Sequence, residues 1–260
     1  MAVKLTILGS GSGGNCAYVE TDEARILVDA GFSPRHIRQR LAGIGRTPEN
    51  LTAILITHEH TDHIQGLTGI AAKLNIPIYC NRATKDEFER SLETHFDCRL
   101  FNTGASFEIA DVLVDTFTIP HDAQDPVGFL LHTAAGNIGF VTDLGHMTKL
   151  VIERTRAANV LVLESNHDVK MLQDCPRRSW SLKQRILGRH GHLSNEAAAE
   201  AVVQIMSADL RHLYLAHLSR ECNRPELAHY VMAEQLHHIG ATHVQLQLAS
   251  QDVPCATLEL

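Results

Sequence analysis

The sequence predicts an α/β protein in which two sheets pack face to face with helices outside them, and three observations carry that reading. The first half of the chain alternates short apolar runs with glycine-rich or polar turns, the pattern of strands. The second half is richer in helical periodicity but keeps strand-like runs between its helices. No low-complexity linker and no internal repeat interrupts the 260 residues, so a single domain over 1–260 is expected.

The elements follow in order. Lys4–Leu8, Ala17–Val19 and Ile26–Val28 have the apolar, β-branched content of strands. Pro34–Leu41 reads as a helix, because Ser33 suits the N-cap and Pro34 the first helical position. Leu51–Ile56 reads as a strand, Leu67–Leu74 as a helix, Ile76–Tyr79 as a strand and Thr84–Leu92 as a helix. Strands are expected at Phe107–Ile109, Val112–Ile119, Gly128–Thr133 and Ile138–Val141. Helices are then expected at Met147–Arg156, Ser181–Leu187, Asn195–Met206 and Pro225–Ile239. Strands at Val160–Leu163, His212–Leu215 and Val244–Leu248 separate them.

Hydrophobic residues make up 44% of the chain and charged residues 20%, enough for a sizeable core. The net charge of −7 excludes a global basic field, so any polyanion must be met by local patches. Apolar runs stay short of the about 18 residues of a membrane span, and MAVKLTILGS lacks the apolar core of a signal peptide. The six cysteines are scattered without a Cys-x-x-Cys pair, as expected of reduced thiols in the cytoplasm. No membrane partner is expected, and a homo-oligomer is left open. Histidine is the outlier, at 17 residues.

Four apolar runs each release ligand-type residues just past their carboxyl ends. After AILIT come His58, Glu59, His60, Thr61, Asp62 and His63; after VDTFTIP, His121 and Asp122; after IGFVT, Asp143; after HLYLA, His217. Such strand-end loops are where a rigid scaffold places function. His58 and His60 are two apart, so an extended backbone points both to one side, and a bend lets Asp62 and His63 face a neighbouring position. Mixed imidazole and carboxylate ligands suit Zn²⁺, Mn²⁺ or Fe. His58, His60, Asp62, His63, His121, Asp143 and His217 are too many for one tetrahedral ion. Two ions sharing Asp143 would use them all. A zincin motif is excluded, because H-E-x-x-H would need histidine where Asp62 stands.

T-H-x-H-x-D-H followed by His, Asp and His resembles the metallo-β-lactamase superfamily over about residues 5 to 248. The resemblance implies an αββα four-layer sandwich of two mixed sheets with outer helices and a metal site at one edge. It implies that His58, His60 and His121 hold one ion, that Asp62, His63 and His217 hold the other, and that Asp143 bridges them. The full second-site set is similar to the phosphodiesterase and thiolester-hydrolase branches. The blocks SGSGGNC, LVDAG, TDLG, ESNHD, LKQRILGRHGHLSN and LAHLSRECN together resemble the YycJ/WalJ subfamily. That implies a 5′→3′ DNA exonuclease with links to mismatch repair and, in some bacteria, to cell-wall signalling. The 73 residues between Asp143 and His217 are too few for a β-CASP insertion. One departure is Pro176–Trp180, where a Tyr-Pro type sequence is expected.

The expected chemistry is in-line attack on a phosphodiester by a metal-bridging hydroxide, with Asp62 orienting the nucleophile as well as binding metal. His192 and His167 are the candidate proton donors to the leaving alkoxide. Asn166 and Asp29 are expected to support the ligands, Asp29 by hydrogen-bonding the metal-binding loop, while Glu59 is assigned to neither ion. SGSGGN (10–15) is expected to be a tight turn near the metal edge, since it lacks the lysine of a Walker motif.

Phosphate binding needs cations. Pro176 to Asn195 carries Arg177, Arg178, Lys183, Arg185 and Arg189 with no acid, and Asn195 joins them as a candidate substrate contact. Ser33 to Thr47 carries Arg35, Arg38, Arg40 and Arg46, again with no acid. Trp180, the only tryptophan, is a candidate for stacking on a base of DNA. His237 and His238 read as exposed helix residues. The alternative to an exonuclease is a phosphodiesterase for a small cyclic or nucleotide phosphate. Last comes a non-catalytic or di-iron redox or regulatory metal-binding protein, because no flavodoxin-like domain is present to feed it electrons.

Overall fold

Apolar side chains that alternate along the strands divide between two faces, and both faces find a partner layer. In the computed structural model, which describes residues 2–260, one sheet comprises β1 (Lys4–Gly9), β2 (Cys16–Glu20), β3 (Arg25–Val28), β4 (Ala53–Leu55), β5 (Ile78–Cys80), β6 (Cys98–Leu100) and an edge strand, β14 (Leu258–Glu259). The other comprises β7 (Ser106–Ile109), β8 (Val112–Thr118), β9 (Val127–Thr133), β10 (Gly136–Val141), β11 (Val160–Glu164), β12 (His212–Ala216) and β13 (Gln245–Leu248). Each sheet has seven strands, in the orders β14-β1-β2-β3-β4-β5-β6 and β13-β12-β11-β10-β9-β8-β7. Pairing is antiparallel from β14 through β3 and from β7 through β10, and parallel from β3 to β6 and from β10 to β13.

Period-two alternation builds three apolar layers. Ile26 and Val28 of β3 join Val160 and Val162 of β11 in the core between the sheets. Leu27 and Ile54 face outward onto α1 (Pro34–Gly43), the helical stretch after α2 (Thr61–Ile64), and α3 (Arg82–Leu92). Leu161, Leu163, Leu213 and Leu215 face the opposite way, onto α4 (Lys149–Thr155), α7 (Asn195–Ile205) and α8 (Pro225–His238). The result is the four-layer αββα sandwich. Two shorter helices, α5 (Val169–Asp174) and α6 (Trp180–Ile186), precede α7.

Caps fix the helix starts. Ser33 accepts from the His36 N–H with Pro34 at the first position, as expected, and Ser194 accepts from Ala197 N–H at the start of α7. Other expectations are revised. The strand expected at Leu51–Ile56 is only β4, because Leu51 caps the 3₁₀ turn over Pro48–Asn50 and gives its N–H to the Pro48 carbonyl. The strand expected from Ile76 begins at Ile78, since Pro77 has no N–H to give a ladder. The helix expected at Leu67–Leu74 is π-helical over Thr68–Ala72. The sequence pattern missed β6, β14 and α5, which are only two to six residues long. No helix among the described residues is long and apolar enough to cross a membrane.

One glycine sets how closely the turn after β3 approaches α2. A Cβ on Gly31 would lie 1.6 Å from the Asp62 carbonyl oxygen and 2.7 Å from Asn15 N. Gly31→Ala is therefore expected to cost about 3 kcal/mol, read as a lower thermal midpoint, and to displace Asp62. Gly43→Ala, in the last turn of α1 with nothing within 4 Å of the added Cβ, should raise stability by about 0.5–1 kcal/mol.

Candidate functional site

Six strands end at one edge of the sandwich, and their ends carry the candidate residues. Asp29 follows β3, His58 to His63 follow β4, His121 follows β8, Asp143 follows β10, Glu164 ends β11 and His217 follows β12. Asp29, Asp143 and His217 turn the chain in the left-handed region, at φ 60°, 61° and 55°. Side chains other than glycine seldom adopt this conformation, and each such residue costs of order 1–2 kcal/mol. His60 is extended, whereas Asp62 and His63 sit in the first turn of α2. That change of direction aims the two pairs at adjacent points.

The seven candidate ligands do converge. His58, His60 and His121 form one group whose ligand atoms lie within 4.8 Å of one another; Asp62, His63 and His217 form a second; His58, His63 and Asp143 connect them. His121 Nε2 is 3.3 Å from His60 Nδ1, and His63 Nε2 is 3.3 Å from Asp143 Oδ2. His58 Nε2, His217 Nε2 and Asp143 Oδ2 are buried without a hydrogen-bond partner. Buried polar atoms are rarely left so. Divalent cations at the two neighbouring groups would satisfy these atoms, so the residues present fit the metal that this kind of site implies.

The outer nitrogens of His58, His63, His121 and His217 are engaged, which fixes those four rings. His63 Nδ1 donates to Asp29 Oδ2 at 2.8 Å, and Asp29 also accepts from the Thr57 N–H and hydroxyl. His58 Nδ1 is 3.0 Å from the Thr57 hydroxyl. His121 Nδ1 donates to the Gly191 carbonyl at 3.2 Å. Asn166 donates to the His217 carbonyl at 2.8 Å. The SGSGGN turn lies against this edge: Ser10 Oγ accepts from His217 N–H, and Asn15 Nδ2 is 3.1 Å from His63 Nε2. Glu59 points elsewhere and accepts from Gln124 N–H.

Glu164 is the residue that sequence reasoning missed. It continues the inward alternation of Val160 and Val162, so its carboxylate enters the gap between the sheets. Oε1 accepts from His192 Nδ1 and His217 Nδ1, both at 2.8 Å; Oε2 accepts from the N–H groups of Leu144 and Leu193, both at 3.0 Å. Four donors occupy it, so it orients imidazoles rather than offering a lone pair to an ion. The available signal was an acid closing the apolar run VLVLE.

Burial and charge oppose each other in this cluster. Burial alone would raise Asp143, but His217 and His63 hold it well below the usual carboxylate range. Burial would likewise raise Glu164, yet His192 and His217 hold it at about 2. His63 and His217 are pushed down by burial and lifted well above the usual value by the surrounding carboxylates. His58 and His121 are pushed down, burial being the main cause.

A cleft of about 180 Å³ opens onto this cluster. His60, Asp62, His121, Asp143, His192 and His217 form its floor, and Arg178, Leu182, Arg185 and Ile186 form one wall. Of the six expected substrate contacts, Arg178 and Arg185 line it. Arg185 pairs with Asp122, and Arg178 lies 2.8 Å from Glu221. Lys183 instead turns inward, its Nζ donating to the Gln173 carbonyl, because its long stem packs between α5 and α6. Asn195 is buried in an amide network with Ser165 and Asn223. Arg177 and Arg189 lie outside the cleft, beside Glu221 and His146. His167 is 1% exposed and absent from the cleft wall; burial pushes its pKa down to about 4, so it is not placed to protonate a leaving group there. In the other arginine run, Arg40 stacks on Phe32 and donates to the Leu8 carbonyl, while Arg38 and Arg46 pair with Glu49 and Glu20. These contacts hold the fold rather than a phosphate.

Metal loading at this site should displace protons, because the surrounding carboxylates lift His63 and His217 above their usual pKa and so favour their protonated forms. Calorimetric titration of metal-free protein at pH 7, in buffers of different ionisation enthalpy, should therefore show proton release. Metal affinity should rise with pH as those two rings deprotonate.

Residues 24–218 match the family model described as a β-lactamase superfamily domain. The exodeoxyribonuclease YycJ of Bacillus anthracis is 36% identical over 245 residues, 92% of this chain and 91% of that protein. The exodeoxyribonuclease WalJ of Streptococcus pneumoniae is 39% identical over 237 residues, 90% of this chain and 88% of that protein. Among solved structures, the metallo-β-lactamase fold protein YhfI of Bacillus subtilis superposes with a TM-score of 0.72 at 15% identity, covering 98% of this chain and 99% of that one. The strand-end ligand set, the two-sheet sandwich and these relatives agree: the chain belongs to the metallo-β-lactamase superfamily, in its YycJ/WalJ-like subfamily.

Proposed function

We propose that this metal-dependent hydrolase cuts phosphodiester bonds of DNA, releasing nucleotides from a 5′ end, with two divalent ions, Zn²⁺ or Mn²⁺, at its centre. His58, His60 and His121 would hold one ion, Asp62, His63 and His217 the other, with Asp143 between them. The observation that carries the reading is the cleft itself. It sets inward-facing ligand atoms opposite two arginines, a site for an anion with a cation on either side. DNA as the polymer rests on the two relatives named exodeoxyribonucleases that span nine-tenths of the chain.

Two bound ions would acidify a water toward neutral pH and offset charge on the phosphoryl oxygens. The chain supplies the rest. Asp62 faces the cleft 3.5 Å from His217 Nε2, where its carboxylate can orient an attacking water. Arg178 and Arg185 exchange their carboxylate partners for phosphate oxygens of the strand; half-exposed ion pairs of this kind are worth under about 1 kcal/mol, so the exchange is cheap. His192 acts as the proton donor. Its Nδ1 is committed to Glu164, which leaves Nε2 for the leaving oxygen. Burial would push His192 down, but Glu164 raises it above the usual imidazole value, which favours the protonated, donating form.

The reading is tested by loading pure protein with Mn²⁺ or Zn²⁺ and offering end-labelled duplex DNA, single-stranded DNA, RNA and a bis-aryl phosphodiester. Mononucleotides released from a DNA 5′ end support it, whereas cleavage of the small ester alone would make it a small-molecule phosphodiesterase. Asp143→Ala should abolish turnover; full activity in that variant would remove the bridging assignment. In Glu164→Gln the carboxylate that raises His192 is gone, so the fall of kcat on the alkaline side should move to lower pH. At neutral pH kcat should drop on the order of 10²-fold.

A further inference from the structure

We propose that the outward face of α6 is a stacking platform for the single-stranded part of the substrate that lies outside the cleft, and that Trp180 holds a base there. The proposal rests on the nuclease reading and adds a subsite to it. Along a helix each residue advances about 100°. Leu182, Arg185 and Ile186 share the side of α6 that faces the cleft, which places Trp180, Gln184 and Leu187 on the opposite side. Trp180 is therefore not a wall of the catalytic cleft. It is 68% exposed, and Leu187 beside it is 40% exposed.

Charge and continuity identify the occupant. No acid occurs between Pro176 and Asn195, and Arg177, three positions before Trp180, projects into solvent. An exposed indole within an acid-free, arginine-containing stretch of sequence fits a chain that is anionic along its backbone and aromatic along its bases. Arg178 lines the cleft two residues before Trp180. A strand whose terminal phosphodiester lies over the candidate metal ligands and passes Arg178 is delivered to the indole. The cleft, at about 180 Å³, leaves the remaining nucleotides outside. Bases paired and stacked in a duplex offer no free face to an indole, so the platform selects an unpaired end.

Trp180 is the only tryptophan, so intrinsic emission reports on this face alone. Mn²⁺-loaded protein is titrated with a phosphorothioate dT12 and with the corresponding dinucleotide, with binding followed in parallel by anisotropy of labelled strands. The dT12 should quench the emission and the dinucleotide should not. In Trp180→Ala, with an unchanged thermal midpoint, the gain in affinity from dinucleotide to dT12 should shrink roughly tenfold, and Trp180→Phe should restore most of it. Binding of dT12 without quenching, or an unchanged length dependence in Trp180→Ala, overturns the proposal. So does emission that shifts with protein concentration alone, which would mark the face as a contact between copies of the chain. Wild-type protein that cleaves neither oligonucleotide nor small ester instead defeats the nuclease reading on which the platform rests.

Discussion

Two buried carboxylates, one from each sheet, hold the whole metal edge in register. Asp29 at the end of β3 gathers the Thr57 N–H, the Thr57 hydroxyl and His63 Nδ1. Glu164 at the end of β11 gathers Leu144 N–H, Leu193 N–H, His192 Nδ1 and His217 Nδ1. Five imidazoles crowded at one edge would otherwise choose among tautomers and ring flips. Four of them, His58, His63, His121 and His217, have their outer nitrogens committed, and their inner nitrogens face a common space. Each carboxylate also accepts backbone N–H groups, so a loop cannot drift without breaking the contact that orients a ring.

This arrangement explains why the sheets have mixed pairing. The parallel halves, β3 to β6 and β10 to β13, bring successive strand ends to the same edge, where the candidate ligands sit. The antiparallel halves close the sandwich and reach that edge through β8, which contributes His121, and through the SGSGGN turn between β1 and β2. The core between the sheets is built mainly from apolar side chains, so burial joins the sheets there, while Asp29 and Glu164 bring polar contacts to the metal edge. Stability and chemistry thus occupy different parts of one layer.

The fold and the convergence of the candidate ligands were legible because both are written in local pattern. An apolar run that ends in histidine or aspartate declares a strand end and its cargo together. Glu164 escaped because it reads as the last residue of a strand, and its four donors come from positions 20 to 53 residues away. Lys183 and Asn195 show the converse error. Charge and polarity are visible in sequence, but direction is not, and these two side chains turn inward to hold α6 and α7 in place. Arg40 fails as a phosphate ligand for the same reason, with its guanidinium spent on Phe32 and two carbonyls. The edge strand β6 and the pair Leu258–Glu259 were too short to generate a period.

The left-handed backbone at Asp29, Asp143 and His217 sets the protein's stability against its use. Glycine at any of the three would relieve of order 1 kcal/mol of strain, and at each it would remove a group the site depends on. A selection for thermal resistance alone would therefore drift toward dismantling the centre, one strand end at a time. Any effort to harden this scaffold must look for its gains away from the carboxyl ends of its strands.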